Sequence, residues 1–173
     1  MGKTTVYLSL GSNLGDRAAT LLDALERLRK LGTIIAISSL YETDPVEVPL
    51  EMKERQPLYF NCAVAMETGL RPEQLLAGTQ AVEDALGRER GVIRHGPRTL
   101  DIDILLFGDA WVKTPELTIP HPGLARRGFV LQPLDEIAPD VRHPILKKTV
   151  RELLAGLAPQ AGVRRLERDL NWR

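Results

Sequence analysis

The chain has 173 residues and balances 23 Lys and Arg against 23 Asp and Glu, with 43% hydrophobic and 27% charged residues. That is the size of one ordinary domain, too apolar for a disordered chain and without the basic excess a dedicated nucleic-acid binder draws on. Apolar runs such as Ile34 to Ile37 and Ile104 to Phe107 hold four residues, against the roughly 20 that a bilayer-spanning helix needs.

From the N-terminus, Val6, Leu8 and Leu10 alternate with Tyr7 and Ser9, which predicts a half-buried strand ended by the turn-rich Gly11-Ser12-Asn13-Leu14-Gly15-Asp16. The same run is too short for a signal-peptide core, so the chain is expected in the cytoplasm. After Asp16, residues Ala18, Leu21, Leu22, Leu25 and Leu28 share a helical face, with Arg27, Arg29 and Lys30 near the end and Gly32 beyond it. Those are the stop signals of an amphipathic helix. Thr33 to Glu42 predicts a second strand whose inward face stays open, because apolar residues occur at both parities. Thr43 to Pro57 holds three prolines and six charged residues and predicts a long loop of the gating kind. Leu58 to Thr68 predicts a third strand with Phe60, Cys62, Val64 and Met66 on one face. Cys62 is the single cysteine, which fits a reducing compartment and a small buried hydrophobe. Pro72 opens a second helix, with Leu75, Leu76, Val82 and Leu86 on one side and Gly87 at its end. Leu100 to Phe107 predicts a fourth strand, Gly108-Asp109 a turn and Thr149 to Leu157 a short helix.

This order predicts an α+β, ferredoxin-like βαββαβ sandwich: an antiparallel sheet with its helices on one face, plus a C-terminal extension. Alternation turns Val6, Leu8, Leu10, Phe60, Cys62, Val64, Ile102, Ile104 and Leu106 toward the helices. Tyr7, Ser9, Tyr59, Asn61, Asp101 and Asp103 then occupy the free face. One domain is expected, its core over about residues 4–140 and an extension over 141–173, with Gln160 to Arg173 either solvated or added at a sheet edge.

The strongest chemical signal is Asp101-Ile102-Asp103, two carboxylates at i and i+2 of an apolar strand and therefore on one side of it. Such a pair invites a divalent cation with phosphate completing its shell; the alternative is two solvated acids salt-bridged to arginines. Directly upstream, Arg88 to Arg98 carries four arginines and one glutamate in a loop rich in glycine. It would neutralise a polyphosphate, or else is a solvated basic loop. Tyr59, Asn61 and Phe129 suit a flat heterocycle, with aromatic rings to stack on it and an amide for its edge, but they also suit ordinary packing. Neither Gly2-Lys3-Thr4 nor Gly11 to Gly15 completes a P-loop, and His95, His121 and His143 are too scattered for a zinc site.

Together these motifs resemble the 6-hydroxymethyl-7,8-dihydropterin pyrophosphokinase family of folate synthesis. Leu10-Gly11-Ser12-Asn13-Leu14-Gly15, Tyr59-Phe60-Asn61, Gly96-Pro97-Arg98-Thr99-Leu100-Asp101-Ile102-Asp103, Ile119-Pro120-His121 and Arg127-Gly128-Phe129 carry the resemblance, in family order across roughly residues 5 to 140. The resemblance implies transfer of pyrophosphate from ATP, the co-substrate, to the pterin hydroxymethyl group, with release of AMP. It implies Asp101 and Asp103 as ligands of two magnesium ions, with Arg88 and Arg98 beside them as catalytic residues. Gln80, Glu83, Arg90, Arg94, Arg98, Ile104, Thr118, His121 and Arg127 are implied at ATP, and Thr43, Tyr59, Asn61 and Phe129 at the pterin. The chain departs from some members at Asp44, His95, Glu116 and Pro122. The expected partners are these small molecules, with no nucleic acid, no membrane and a monomeric chain.

Two other readings use the same residues. A ferredoxin-like RNA-binding module would stack bases on Tyr59 and Phe129 beside the arginines, but zero net charge and the acid pair oppose it. A nucleotidyl-transfer palm usually needs an acid on its first strand, where this chain has Val6-Tyr7-Leu8-Ser9-Leu10.

Overall fold

The structure, a computed structural model, describes residues 2–13, 16–44, 58–87, 100–159 and 162–166. Its first strand, β1 (Thr4–Ser12), lies between β4 (Tyr59–Thr68) and β5 (Asp101–Phe107), antiparallel to both. β2 (Thr33–Ile37) and β3 (Tyr41–Thr43) pair with successive parts of β4, and β8 (Val163–Arg165) adds to β3. Among the described residues this gives a six-stranded antiparallel sheet in the order β5-β1-β4-β3-β8, with β2 beside β3 on β4. A separate two-stranded ribbon joins β6 (Val112–Lys113) to β7 (Thr118–Ile119).

Helix α1 (Arg17–Leu28) starts where Asp16 accepts the Ala19 N–H at 3.1 Å, a side-chain cap for an otherwise unpaired donor. It buries Leu21, Ala24, Leu25 and Leu28 on the sheet, and α2 (Pro72–Ala85) adds Leu75 and Val82 beside it. Facing them are Val6, Leu8, Leu10, Cys62, Val64, Met66, Ile102 and Ile104, all within one buried cluster. Each fully buried side chain of this size contributes about 1.5–3 kcal/mol relative to exposure, so this layer is the main source of cohesion.

The expectation that helices cover one face alone is corrected. Helix α3 (Gly128–Ile137), followed by α4 (Val150–Ala155), packs on the opposite face and buries Val130, Leu131 and Leu134 against Ala63, Leu105 and Leu106. Leu106 therefore leaves the face assigned to it. Register pairs Tyr7 with Leu106 but Leu8 with Ile104, so Leu105 is an extra residue, and Phe107 joins the first cluster in place of Leu106. The single strand expected over Thr33 to Glu42 is two strands for a similar reason. Ile34 pairs with Met66 and Ala36 with Ala65, leaving Ile35 as a bulge that is 47% exposed. Ser38 then takes over part of the ladder with its side chain, its Oγ accepting the Ala63 N–H at 2.8 Å.

The short helix expected near Thr149 is α4, where Thr149 and Glu152 cap each other reciprocally. Of the tail, Val163–Arg165 is an added edge strand. No described helix is long and apolar enough to cross a membrane.

Candidate active site

The face shared with α3 contains one continuous cross-strand row. Asp101 stands opposite Gly11, Gly11 opposite Asn61, Asn61 opposite Tyr41 and Tyr41 opposite Arg165. Directly paired residues project to the same side of a sheet, so these side chains share a surface in which Gly11 is a gap. The flanking rows place Asp103 by Ser9 and Ala63, and Tyr59 by Thr43. Adjacent strands are about 4.8 Å apart, which sets Asp101 and Asn61 about 10 Å apart across the glycine.

Gly11 has to be a glycine because of close approach. A Cβ built on it would meet Asn61 Oδ1 at 2.7 Å and Tyr59 Cδ1 at 3.5 Å. Asn61 and Thr43 are buried, and the Asn61 amide nitrogen donates to the Thr43 hydroxyl at 2.5 Å. That bond orients the amide and leaves its carbonyl oxygen directed over Gly11.

Asp101 and Asp103 project from the same side of β5, opposite to the buried Ile102 and Ile104. The Asp103 side chain is 34% exposed, and its Oδ1 lies 3.8 Å from His121 Nε2. His121 is held at both ends. Its backbone N–H donates to the Leu105 carbonyl at 3.0 Å, and its Nδ1 accepts the Gly123 N–H at 3.0 Å. With Nδ1 an acceptor, the ring proton sits on Nε2, on the side facing Asp103.

β5 is the edge strand of the sheet, and its outward Ile102 N–H is taken by the buried Glu83 carboxylate of α2 at 2.9 Å. Glu83 thus pins the backbone between the two aspartates. Leu76, Gln80 and Glu83 follow at i, i+4 and i+7 along α2, one stripe of the helix. Beside this stripe a cavity of about 260 Å³ opens between α2, β5 and the β7 segment; Asp103, Ile104, Thr118 and His121 line it together. Glu116 and Pro122 line it as well.

Arg127 occupies the position just before α3, its guanidinium carbon 5.9 Å from the centre of the Phe129 ring in the first turn. A Cβ at Gly123 would stand 2.6 Å from Arg127 Nε, so the glycine that anchors His121 also gives Arg127 its bed. Gly123 and Glu83's hold on Ile102 escape sequence reasoning. The His121-Pro122-Gly123 turn was the available signal for the first, and a carboxylate meeting a distant backbone amide leaves no pattern for the second.

The structure therefore assembles two neighbouring regions: a cavity at the β5 edge with Asp103, Ile104, Thr118 and His121, and a sheet surface with Asp101, Asn61, Tyr59 and Thr43. Arg88, Arg90, Arg94 and Arg98 lie outside the described residues, as does the loop expected over Thr43 to Pro57 beyond Asp44.

The sequence profile of the 7,8-dihydro-6-hydroxymethylpterin-pyrophosphokinase family matches residues 7–139. A 2-amino-4-hydroxy-6-hydroxymethyldihydropteridine pyrophosphokinase of Pseudomonas aeruginosa is 43% identical over 93% of this chain and 96% of its own length. That of Aquifex aeolicus is 41% identical over 86% and 89%. A folic acid synthesis protein of Dictyostelium discoideum is 38% identical over 93% of this chain, which spans 23% of that protein's length. Among solved structures, wild-type HPPK-DHPS of Plasmodium falciparum with pterin and p-hydroxybenzoate has a TM-score of 0.70 at 21% identity, over 90% of this chain and 42% of that one. At that identity the likeness concerns the fold alone.

Proposed function

This chain belongs to the 7,8-dihydro-6-hydroxymethylpterin-pyrophosphokinase family, and we propose that it transfers pyrophosphate from ATP to 6-hydroxymethyl-7,8-dihydropterin in folate synthesis. The hydroxymethyl oxygen bonds to the β-phosphorus as the bond from that phosphorus to the α,β-bridging oxygen breaks, AMP leaves, and the hydroxyl proton passes to solvent. The observation that carries this reading is the row Asp101, Gly11, Asn61, with Asp103 one step along the same side of β5. It provides a flat floor of about two strand spacings between an amide that can bond a heterocycle's edge and a carboxylate pair that can hold charge at the reacting end.

The donor set fits magnesium. Two half-exposed carboxylates supply hard oxygen ligands, and no cluster of three or more His, Cys, Asp or Glu suited to a metal occurs among the described residues. Magnesium is commonly held by one or two carboxylates plus substrate phosphates. Asp101 and Asp103 would hold it, two ions in our reading, and when bound it would balance the charge of the triphosphate.

The chain's own groups do the rest by position. Asn61 presents its carbonyl oxygen to donors on the pterin edge, Thr43 fixes that amide, and Tyr59 and Phe129 offer ring faces. His121 turns its Nε2–H, and Arg127 its guanidinium, toward the phosphates. Ile104, Thr118 and Gln80 border the nucleotide, and Glu83 keeps the aspartate-bearing strand in place. Arg88 and Arg98, with Arg90 and Arg94, neutralise the polyphosphate as it transfers. Such a site works through alignment and electrostatics more than covalent chemistry. We read the core as ferredoxin-like, with residues 141–173 as an extension of one domain that acts as a monomer in the cytoplasm, without nucleic acid.

The test is to incubate the protein with ATP, magnesium and the hydroxymethyl dihydropterin and resolve the products. AMP with pyrophosphorylated pterin is expected, and Asp103→Ala should slow its formation by at least about 100-fold. Release of free pyrophosphate, or salt-dependent RNA binding without ATP affinity, would overturn the reading.

A further inference from the structure

One carboxylate outside the site ties its two walls together. Glu136, near the end of α3, accepts three hydrogen bonds: the Ser39 N–H at 2.8 Å and the Ser39 hydroxyl at 3.0 Å on Oε2, and the Tyr41 hydroxyl at 2.9 Å on Oε1. Arg165 of β8 approaches Oε1 at 4.0 Å. Ser39 and Tyr41 are each 5% exposed, and the Glu136 side chain 24%. Burial, and next the bond to Glu136, raise the Tyr41 pKa, so the phenol remains a donor throughout the accessible pH range.

Two spacings connect this cluster to the site. Glu136 follows Phe129 by seven residues, two helical turns, so the two share a face of α3 about 10 Å apart along the axis. Tyr41 precedes Thr43 by two residues on β3 and pairs with Asn61, so it belongs to the surface that carries the heterocycle-binding groups. Between Phe129 and Glu136 lies Pro133, which cannot donate to the Phe129 carbonyl and leaves α3 without one of its internal bonds. A helix interrupted there depends more on an external anchor to set the place of its first turn.

We infer that Glu136 is a positioning residue: by clamping α3 to β3 through Ser39 and Tyr41, it sets the separation of Phe129 from Thr43 and Asn61 and so the pterin affinity of the site. This rests on the pyrophosphokinase reading and adds to it a residue that touches neither substrate. Part of the clamp's effect is general cohesion, because three bonds are lost with it. A purely structural role, however, would lower stability without separating the two substrates.

The experiment compares wild type, Glu136→Ala, Glu136→Gln and Tyr41→Phe by steady-state kinetics with each substrate varied, by pterin titration and by thermal melting. Glu136→Ala is expected to raise the pterin KM and Kd about tenfold, the equivalent of one to two lost hydrogen bonds, while the ATP KM stays within twofold. Glu136→Gln should recover most of the affinity, since its carbonyl oxygen can accept from Ser39 and its amide can donate to the Tyr41 oxygen. Tyr41→Phe reports on the clamp if Glu136→Ala does not fold, with a threefold or greater rise expected in the pterin constants alone. Wild-type pterin constants in a folded Glu136→Ala or Tyr41→Phe variant, or equal changes for pterin and ATP, would overturn the inference. Wild-type protein that neither binds the pterin nor makes AMP would overturn the functional reading first, and this inference with it.

Discussion

Asn61 and Thr43, eighteen residues apart in the chain, meet through a 2.5 Å hydrogen bond from the Asn61 amide nitrogen to the Thr43 hydroxyl. Both are buried, so the bond decides which way the amide faces. Removing the hydroxyl leaves a buried donor unpaired, at a cost of about 1–3 kcal/mol, and frees Asn61 to rotate its oxygen away from Gly11. Thr43→Ala should therefore weaken pterin binding by about tenfold, and Thr43→Ser should restore it. Titration of the pterin against both variants checks this. Equal losses in the two would mean that the Thr43 methyl, not its hydroxyl, carries the effect.

Gly11 makes a complementary prediction. An alanine Cβ at this position would lie 2.7 Å from Asn61 Oδ1, too close for both groups to stay in place. Asn61 cannot yield easily, since Thr43 holds its other amide atom. Forced overpacking of this kind costs about 1–3 kcal/mol, and each kcal/mol lowers the melting temperature of a chain this size by about 2–4 °C. Gly11→Ala should melt a few degrees below wild type and lose most of its pterin affinity while still binding nucleotide. An unchanged pterin Kd would show that the gap at Gly11 is not the floor of the heterocycle site.

Elements with clean periodicity were legible in the sequence: β1, α1, β4, α2 and β5 follow from spacing alone, and so does the shared side of Asp101 and Asp103. What escaped had a local cause each time. Ile35 and Leu105 are bulges, and an inserted residue reverses the parity of everything beyond it, which is why Leu106 was turned toward the wrong layer. Helix α3 carries Pro133 within ten residues and opens on Gly128, signals that read as breakers although its apolar face is well buried. β8, Val163-Arg164-Arg165, is too short and too charged to define a strand by pattern, so the sequence leaves the tail as either solvated or added at a sheet edge, and the edge addition is what the structure has. In the site, the aspartates announced themselves by type and spacing. Glu136 and Glu83 matter through partners supplied by distant parts of the chain, which no window of sequence contains, whereas Gly123 serves His121 two residues before it.

Cys62 sits in the layer beneath the site, 1% exposed, and burial pushes its thiol pKa up to about 12. A free cysteine, with a pKa of about 8.5, is half thiolate at that pH. Native protein treated with iodoacetamide at about pH 8.5 should react at least about 100-fold more slowly than protein unfolded in guanidinium. Mass spectrometry of the modified chain measures both rates. Labelling of the native state at the unfolded rate would place Cys62 at the surface and contradict the packing of β4 on α1 and α2.

His143 predicts how stability depends on pH. It is 7% exposed, and burial lowers its pKa below the free value. Its Nδ1 accepts the backbone N–H groups of Ile145 and Leu146 at 3.2 and 3.1 Å, and its own N–H donates to the Lys148 carbonyl at 2.8 Å, closing a turn in which Lys147 has a φ of 59°. Protonating Nδ1 would set a cation against two donors. Above the unfolded pKa of about 6.5 both states are neutral, and the group contributes nothing to pH dependence. As pH falls through that value the unfolded chain takes up the proton first, so the folded state loses ground steadily until its own lowered pKa is reached. Melting temperature should thus drop between about pH 7 and pH 5. His143→Asn, which keeps an acceptor at the δ position without titrating, should give a flatter dependence of melting temperature on pH over that interval. Parallel curves for the two proteins would assign the acid sensitivity to other groups and show that the Nδ1 contacts do not exclude the proton.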